Sequence, residues 1–240
     1  MNIADASGAM AALATDKLIV PPKRFRGLLT RVLSAVVLAP LFLAALWFGF
    51  PWIDLLIALI APPMAAEWIR LTRGRPFART LGLVYVIGAL LALLWLRHQP
   101  ALGRETVLWL AVCVWATDVA GYFVGSVVGG AKLAPRISPG KTWSGLIGAM
   151  AVTALASTGF GALIGEGRPL VLGAVGAILA VVGQMGDLLE SHAKRRAGVK
   201  DSGHLIPGHG GLLDRLDGFI AVLVVAALAR LLIDRGWPWT

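Results

Sequence analysis

Seven apolar runs dominate this 240-residue sequence, at about 28–50, 52–71, 80–97, 106–128, 143–164, 169–190 and 212–233. A helix rises about 1.5 Å per residue, so about 20 apolar residues span the roughly 30 Å of bilayer hydrocarbon. At 58% hydrophobic residues the chain exceeds the roughly 45–50% usual for a soluble domain. The expected fold class is all-α: a polytopic integral membrane helical bundle with about seven transmembrane helices, in a range of six to nine.

The first twenty residues hold Asp5 and Asp16 and lack a basic start followed by an apolar core, so they do not read as a cleavable signal. They are expected to be a flexible cytosolic tail ending at Pro21-Pro22, with residues 23–240 as one integral membrane domain. Phe50-Pro51 separates the first two spans and predicts a tight hairpin, and Pro40 is a candidate kink. Cys113, the only cysteine, sits in an apolar run and is read as packing. Gly121, Gly125 and Gly129, and Gly183 with Gly186, suit close helix approach.

The formal charge of +9 is spread over short clusters between spans, which argues against a nucleic-acid partner and for anionic lipid and nucleotide phosphates. Cations crowd the amino-terminal side and the loops after spans two, four and six: Arg70 and Arg75, Lys132 and Lys141, Lys194 and Lys200 among them. The opposite loops hold Arg97, Arg104 and Arg168. Positive residues are retained in the cytoplasm, so these polar loops are expected on the cytosolic face of the cytoplasmic (inner) membrane.

Two polar constellations interrupt the spans. In the first, span six is expected to continue inward, placing Asp187, Glu190, Ser191 and Lys194 on one helical stripe. A carboxylate and an ammonium so arranged can hold a divalent ion and a phosphate side by side. Pro207-Gly208-His209-Gly210-Gly211 then leads into span seven, whose free first amides would form an anion-binding surface. Asp214, Arg215 and Asp217 follow. Asp214 and Asp217, with Asp187 from the neighbouring helix, fit oxygen ligands for Mg²⁺, which takes a few carboxylates plus substrate phosphates. His209 serves either the loop's architecture or a phosphate.

The second constellation spans Trp115 to Gly145. Asp118 lies inside an apolar run, where an ionised carboxylate costs about 2.5–3.5 kcal/mol, so it should face a polar cavity or a cation. Gly140-Lys141-Thr142 lacks the earlier glycine of a P-loop, since Pro135 stands there. A polar loop remains in which Lys132, Arg136, Ser138, Lys141 and Thr142 can bind phosphate oxygens.

Ser191 to Asp217 resembles the signature of the phosphatidate cytidylyltransferase family, S-x-x-K-R-x4-K-D followed by P-G-H-G-G-x-x-D-R-x-D. Every fixed position is filled. Asp118 to Thr142 resembles a second block of that family, whereas the amino-terminal half matches only in style, as at Glu67-Trp68. Ser144 and Ser126 depart from the acidic residue and arginine often found there. The resemblance implies a catalytic membrane domain that transfers a cytidylyl group from CTP to phosphatidic acid, giving CDP-diacylglycerol and pyrophosphate. It also implies Mg²⁺, with a second cation an option, and a homodimer. On this reading Asp187 and Asp214 lead the metal ligands and Asp217, Asp118 and Asp201 support them, while Lys194 acts at the reacting phosphates. Ser138, Lys141, Thr142, Ser191, Arg195, Lys200, His209, Gly210, Gly211 and Arg215 are expected to contact substrate. The competing readings are a CTP-dependent enzyme acting on another lipid phosphate or a polyprenol, and an anion transporter, which would spread ionisable residues through the membrane depth.

Overall fold

The computed structural model describes residues 23–206, 210–233 and 237–239, with side chains from residue 36 onward. The amino-terminal tail and His209 lie outside the described residues. Seven helices follow one another: α1 (Lys23–Phe48), α2 (Trp52–Leu71), α3 (Pro76–Arg97), α4 (Gly103–Val128), α5 (Trp143–Ile164), α6 (Pro169–Arg196) and α7 (Leu213–Leu232). Between α4 and α5 the chain forms a small antiparallel hairpin, β1 (Lys132–Ala134) with β2 (Ser138–Thr142), which pairs Lys132 with Thr142 and Ala134 with Ser138. The helical bundle is as expected, and this hairpin is its one departure from all-α among the described residues.

Local chemistry sets the helix limits. Gly49 reverses the chain at φ +71° between α1 and α2, and α1 runs through Pro40. Pro76 and Pro169 open α3 and α6, where a missing N–H costs nothing. Thr142 caps α5 by accepting from the Gly145 amide at 3.1 Å, and Gly165 closes it in the left-handed region at φ +73°.

Among the described residues, five helices, α2 to α6, are long and apolar enough to cross a membrane. In α7 the charges of Asp214, Arg215, Asp217 and Arg230 interrupt an otherwise apolar helix. The outward faces are greasy, as at Leu163 (87% exposed) and Leu170 (81%), which only a lipid surround accommodates over so wide an area. The chain is an integral membrane protein.

Small and hydroxylated residues bring the carboxyl-terminal helices together. A Cβ on Gly145 of α5 would lie 2.7 Å from the Gly121 carbonyl oxygen of α4, and one on Gly186 of α6 would lie 2.7 Å from the Asp217 carbonyl oxygen of α7. Thr117 and Thr153 hydroxyls meet at 3.0 Å between α4 and α5, and buried Cys113 meets Ser157 at 3.2 Å, in line with its packing role. The loops sort to two ends. At one, Arg75 reaches the Arg196 carbonyl and Arg195 the Ile137 carbonyl, joining the α2–α3 loop, the hairpin and the α6–α7 loop. At the other, Arg97 donates to the Leu46 and Trp47 carbonyls and closes the end of α1.

Candidate active site

The first of these ends carries the polar constellations. The last turns of α6 are helical, as expected, so Asp187, Glu190, Ser191 and Lys194 form one stripe that faces the start of α7 and the hairpin. Asp187 is held between Ser191, whose hydroxyl donates to Oδ1 at 3.1 Å, and Lys141 of β2, whose Nζ lies 2.5 Å from Oδ2. Lys194 is buried, with its Nζ 2.6 Å from Asp214 Oδ1 and 3.6 Å from Glu190 Oε1. Glu190, also buried, abuts Asp217. Asp118 of α4 stands within electrostatic reach of Asp187, Asp217, Lys141 and Arg215. Five acidic side chains and three basic ones from α4, β2, α6 and α7 therefore share one site.

Asp214 organises the loop before α7. Its Oδ2 accepts from the Gly211 amide at 2.8 Å, the Ser202 amide at 2.9 Å and the Ser202 hydroxyl at 3.0 Å, while Oδ1 accepts from Lys194. Each carboxylate oxygen offers about two lone pairs, and with three donors crowding Oδ2 and one at Oδ1 the open one on Asp214 is at Oδ1.

Sequence reading placed no role on Glu67, at the end of α2. This carboxylate is 2% exposed, and it accepts from the Leu213 amide at 2.9 Å and the Leu212 amide at 3.1 Å and shares the Ser202 hydroxyl, at 3.0 Å, with Asp214. It satisfies the first amides of α7 and places a negative charge at the positive end of that helix. The neighbouring Arg70 reaches the Ser202 carbonyl at 3.3 Å. The available signal is a carboxylate near the end of an apolar span, related to the one inside a span that singles out Asp118.

These bonds correct two expectations. The amides at the start of α7 do not form an open anion-binding surface: Glu67 takes those of Leu212 and Leu213, Asp214 takes that of Gly211, and Gly210 exchanges backbone bonds with Ile206. The anion at this helix terminus is internal. Thr142 likewise is a buried helix cap, with its hydroxyl turned to Gly145 and Ser144. Ser138 is partly exposed on the hairpin, Arg195 bonds the Ile137 and Val199 carbonyls, and Lys200 and Asp201 are exposed on the α6–α7 loop, where Asp201 and Asp214 both flank Gly210.

Asp118 faces a crevice of about 240 Å³ between α1, α4 and α7. Of the polar cavity or cation expected there, the structure supplies the cation: Arg215 shares the crevice, which Leu38, Phe42, Trp115 and Phe219 make otherwise apolar. It therefore joins the charged site to an apolar, lipid-compatible passage.

Comparison with known proteins bears on this arrangement. A profile of the cytidylyltransferase family matches residues 77–233, from α3 through α7. The chain belongs to the cytidylyltransferase family. Among curated relatives, the phosphatidate cytidylyltransferase of Brucella suis is 42% identical over 176 residues, 73% of this chain and 64% of that protein. The phosphatidate cytidylyltransferase of Rickettsia conorii is 33% identical over 226 residues, covering 89% of this chain and 95% of the relative. That of Pseudomonas aeruginosa is 37% identical over 201 residues, 83% and 70% of the two chains. The cytidylyltransferase profile covers Asp118, Lys141, Asp187, Lys194 and Asp214, whereas Glu67 precedes it.

Proposed function

We propose that this cytidylyltransferase transfers the cytidylyl group of CTP to phosphatidic acid, forming CDP-diacylglycerol and pyrophosphate, at the cytosolic face of the cytoplasmic membrane. The observation that carries this reading is the convergence of Lys141, Lys194 and Arg215 with five carboxylates beside an apolar crevice. A lipid phosphate and a nucleotide triphosphate are both polyanions, one greasy and one soluble, and this site offers each a suitable approach. The relatives named phosphatidate cytidylyltransferase support the substrates, and the Lys/Arg bias of the loops supports the orientation.

The chemistry asks for little general-base help. A phosphomonoester has a second pKa near ~6, so phosphatidate is largely a dianion at neutral pH. One of its oxygens attacks the α-phosphorus of CTP, a new P–O bond forms, and the bond to the β-phosphate breaks with its electron pair leaving on pyrophosphate. Lys141 and Lys194, held by carboxylates, orient and neutralise phosphate oxygens, and Arg215 stands where the crevice meets the cluster.

Among the described residues, no three acidic, histidine or cysteine side chains converge tightly enough to hold a metal alone. That arrangement suits Mg²⁺, which takes one or two carboxylates and completes its shell with water and substrate phosphates. Glu190, with Oε1 3.6 Å from Lys194 Nζ, adds a further carboxyl group beside Asp217. Asp187 and Oδ1 of Asp214 are the carboxylates that would lead in holding the ion, with Asp217 in support, and the ion would supply charge neutralisation for the triphosphate and the leaving pyrophosphate. A homodimer, implied by the resemblance, belongs to the same proposal.

The test is transfer of label from α-labelled CTP into the lipid phase by the purified protein, with phosphatidic acid, a polyprenyl phosphate or no acceptor. Label should enter lipid with phosphatidic acid alone, stop with chelator and resume with Mg²⁺. Preferential labelling of the polyprenyl phosphate would move the chain to another lipid substrate.

A further inference from the structure

A second concavity lies on the far face of α6, away from the carboxylates. It is a groove of about 600 Å³ between α2, α3, α6 and α7. Its walls are apolar, with Trp68, Leu81, Met185, Leu189 and Val225 among them, and among the described residues no acidic side chain lines it. Basic groups gather at the end near the site loops: Arg75, Arg196 and His192 line it there, and Arg75 donates to the Arg196 carbonyl at 2.6 Å.

Length and charge identify an occupant. Along α6 the groove runs from Val182 to Arg196, which at about 1.5 Å per residue is roughly 21 Å. One leaflet of hydrocarbon is half of the roughly 30 Å core, so the groove accommodates a head group and most of one acyl chain. Basic pockets between membrane helices at a cytoplasmic end bind anionic head groups. At the groove floor, a Cβ on Gly186 would meet Ala221 Cβ at 2.5 Å and the Asp217 carbonyl oxygen at 2.7 Å, so α6 and α7 touch backbone to backbone and part the groove from the cluster at that point.

We propose that this groove is an accessory site for an anionic phospholipid other than the substrate. The lipid lays one acyl chain along α6 and sets its phosphate at Arg75 and Arg196. The proposal concerns binding and stands apart from the transferase reading.

The full chain, purified in mild detergent, is titrated with dioleoylphosphatidylglycerol or dioleoylphosphatidylcholine, with Tm and native mass spectrometry as readouts. Phosphatidylglycerol should bind saturably with a rise in Tm, and phosphatidylcholine more weakly. Arg196→Gln should weaken phosphatidylglycerol about tenfold, as loss of a charge-assisted contact does. Met185→Trp, which fills the groove, should remove the response to both lipids. Leu189→Trp repeats that test if Met185→Trp fails to elute as wild type. Equal responses to the two lipids, or an unchanged affinity in Arg196→Gln, overturns the proposal. So does a dimer, seen by light scattering, that Met185→Trp dissociates, because the groove would then seat a second copy. A raised KM for phosphatidic acid in Arg196→Gln with unaltered phosphatidylglycerol binding also overturns it, because the groove would then serve the substrate.

Discussion

Replacing Glu67 by alanine tests whether α2 positions the reactive end of α7. The substitution strips the Leu212 and Leu213 amides of their acceptor, while Ser202 keeps Asp214 as an alternative partner. An unsatisfied buried donor costs about 1–3 kcal/mol, so two cost about 2–6 kcal/mol. Against a total stability on the order of 5–15 kcal/mol, that is a large fraction. For a chain of this size 1 kcal/mol corresponds to about 2–4 °C, so Tm should fall on the order of 10 °C. The loss should be local first: the opening turn of α7 frays, Asp214 and Gly211 move away from Lys194, and kcat falls. Glu67→Gln keeps one acceptor oxygen but points an amide donor at a backbone donor, so it should lie between wild type and alanine. The checks are thermal unfolding in detergent, hydrogen exchange over residues 210–216, and labelled cytidylyl transfer. If Glu67→Ala keeps kcat within about twofold and Tm within about 2 °C of wild type, the capping argument is refuted, since so small a change is below 1 kcal/mol.

The remaining predictions separate chemistry from architecture. Asp187→Asn, on a partly exposed side chain, should leave folding intact by gel filtration and lower kcat by about 10²-fold or more; wild-type turnover would remove Asp187 from the metal and phosphate machinery. Gly186→Val should force α6 from α7 at a cost of about 1–3 kcal/mol and lower both Tm and activity. Its control, Gly88→Ala, where a Cβ meets nothing within 4 Å, should leave activity unaltered. Arg97→Ala removes the bonds that close α1 at the opposite end, so Tm should drop by a few degrees with kcat unchanged, measured on the same preparations. A proportionate fall in kcat would mean the two ends are coupled.

Legibility in the sequence followed the range of the interactions. The limits of α2 and α5 could be read directly, because Pro51, Thr142 and Gly165 punctuate the chain where the apolar runs change. α3 and α4 begin three to four residues ahead of their apolar runs, at Pro76 and Gly103, because a helix start answers to backbone chemistry before hydropathy rises. The β1–β2 hairpin is too short and too rich in glycine and proline to leave a periodic pattern. The stripe on α6 was legible, since i, i+3 and i+4 geometry follows from helicity alone. The fate of the α7 amides was not: their acceptor, Glu67, lies 145 residues from Leu212, and local pattern carries no record of it. Thr142 was misread for the reverse reason. A hydroxyl beside a lysine resembles phosphate chemistry, yet its nearest donor was the amide three residues on.

The distance between Glu67 and α7 also has a meaning for biogenesis. A membrane chain is inserted from its amino terminus, so α2 takes its place while α7 is still unmade. During that interval a carboxylate waits at the membrane boundary for helix amides that do not yet exist, and water must serve it. When α7 arrives, that water is exchanged for two backbone amides and a serine hydroxyl, and the loop that carries Asp214 is set in the same event. The loop that carries Asp214 is therefore set only once α7 has formed, and a chain halted before α7 lacks the amides that Glu67 holds.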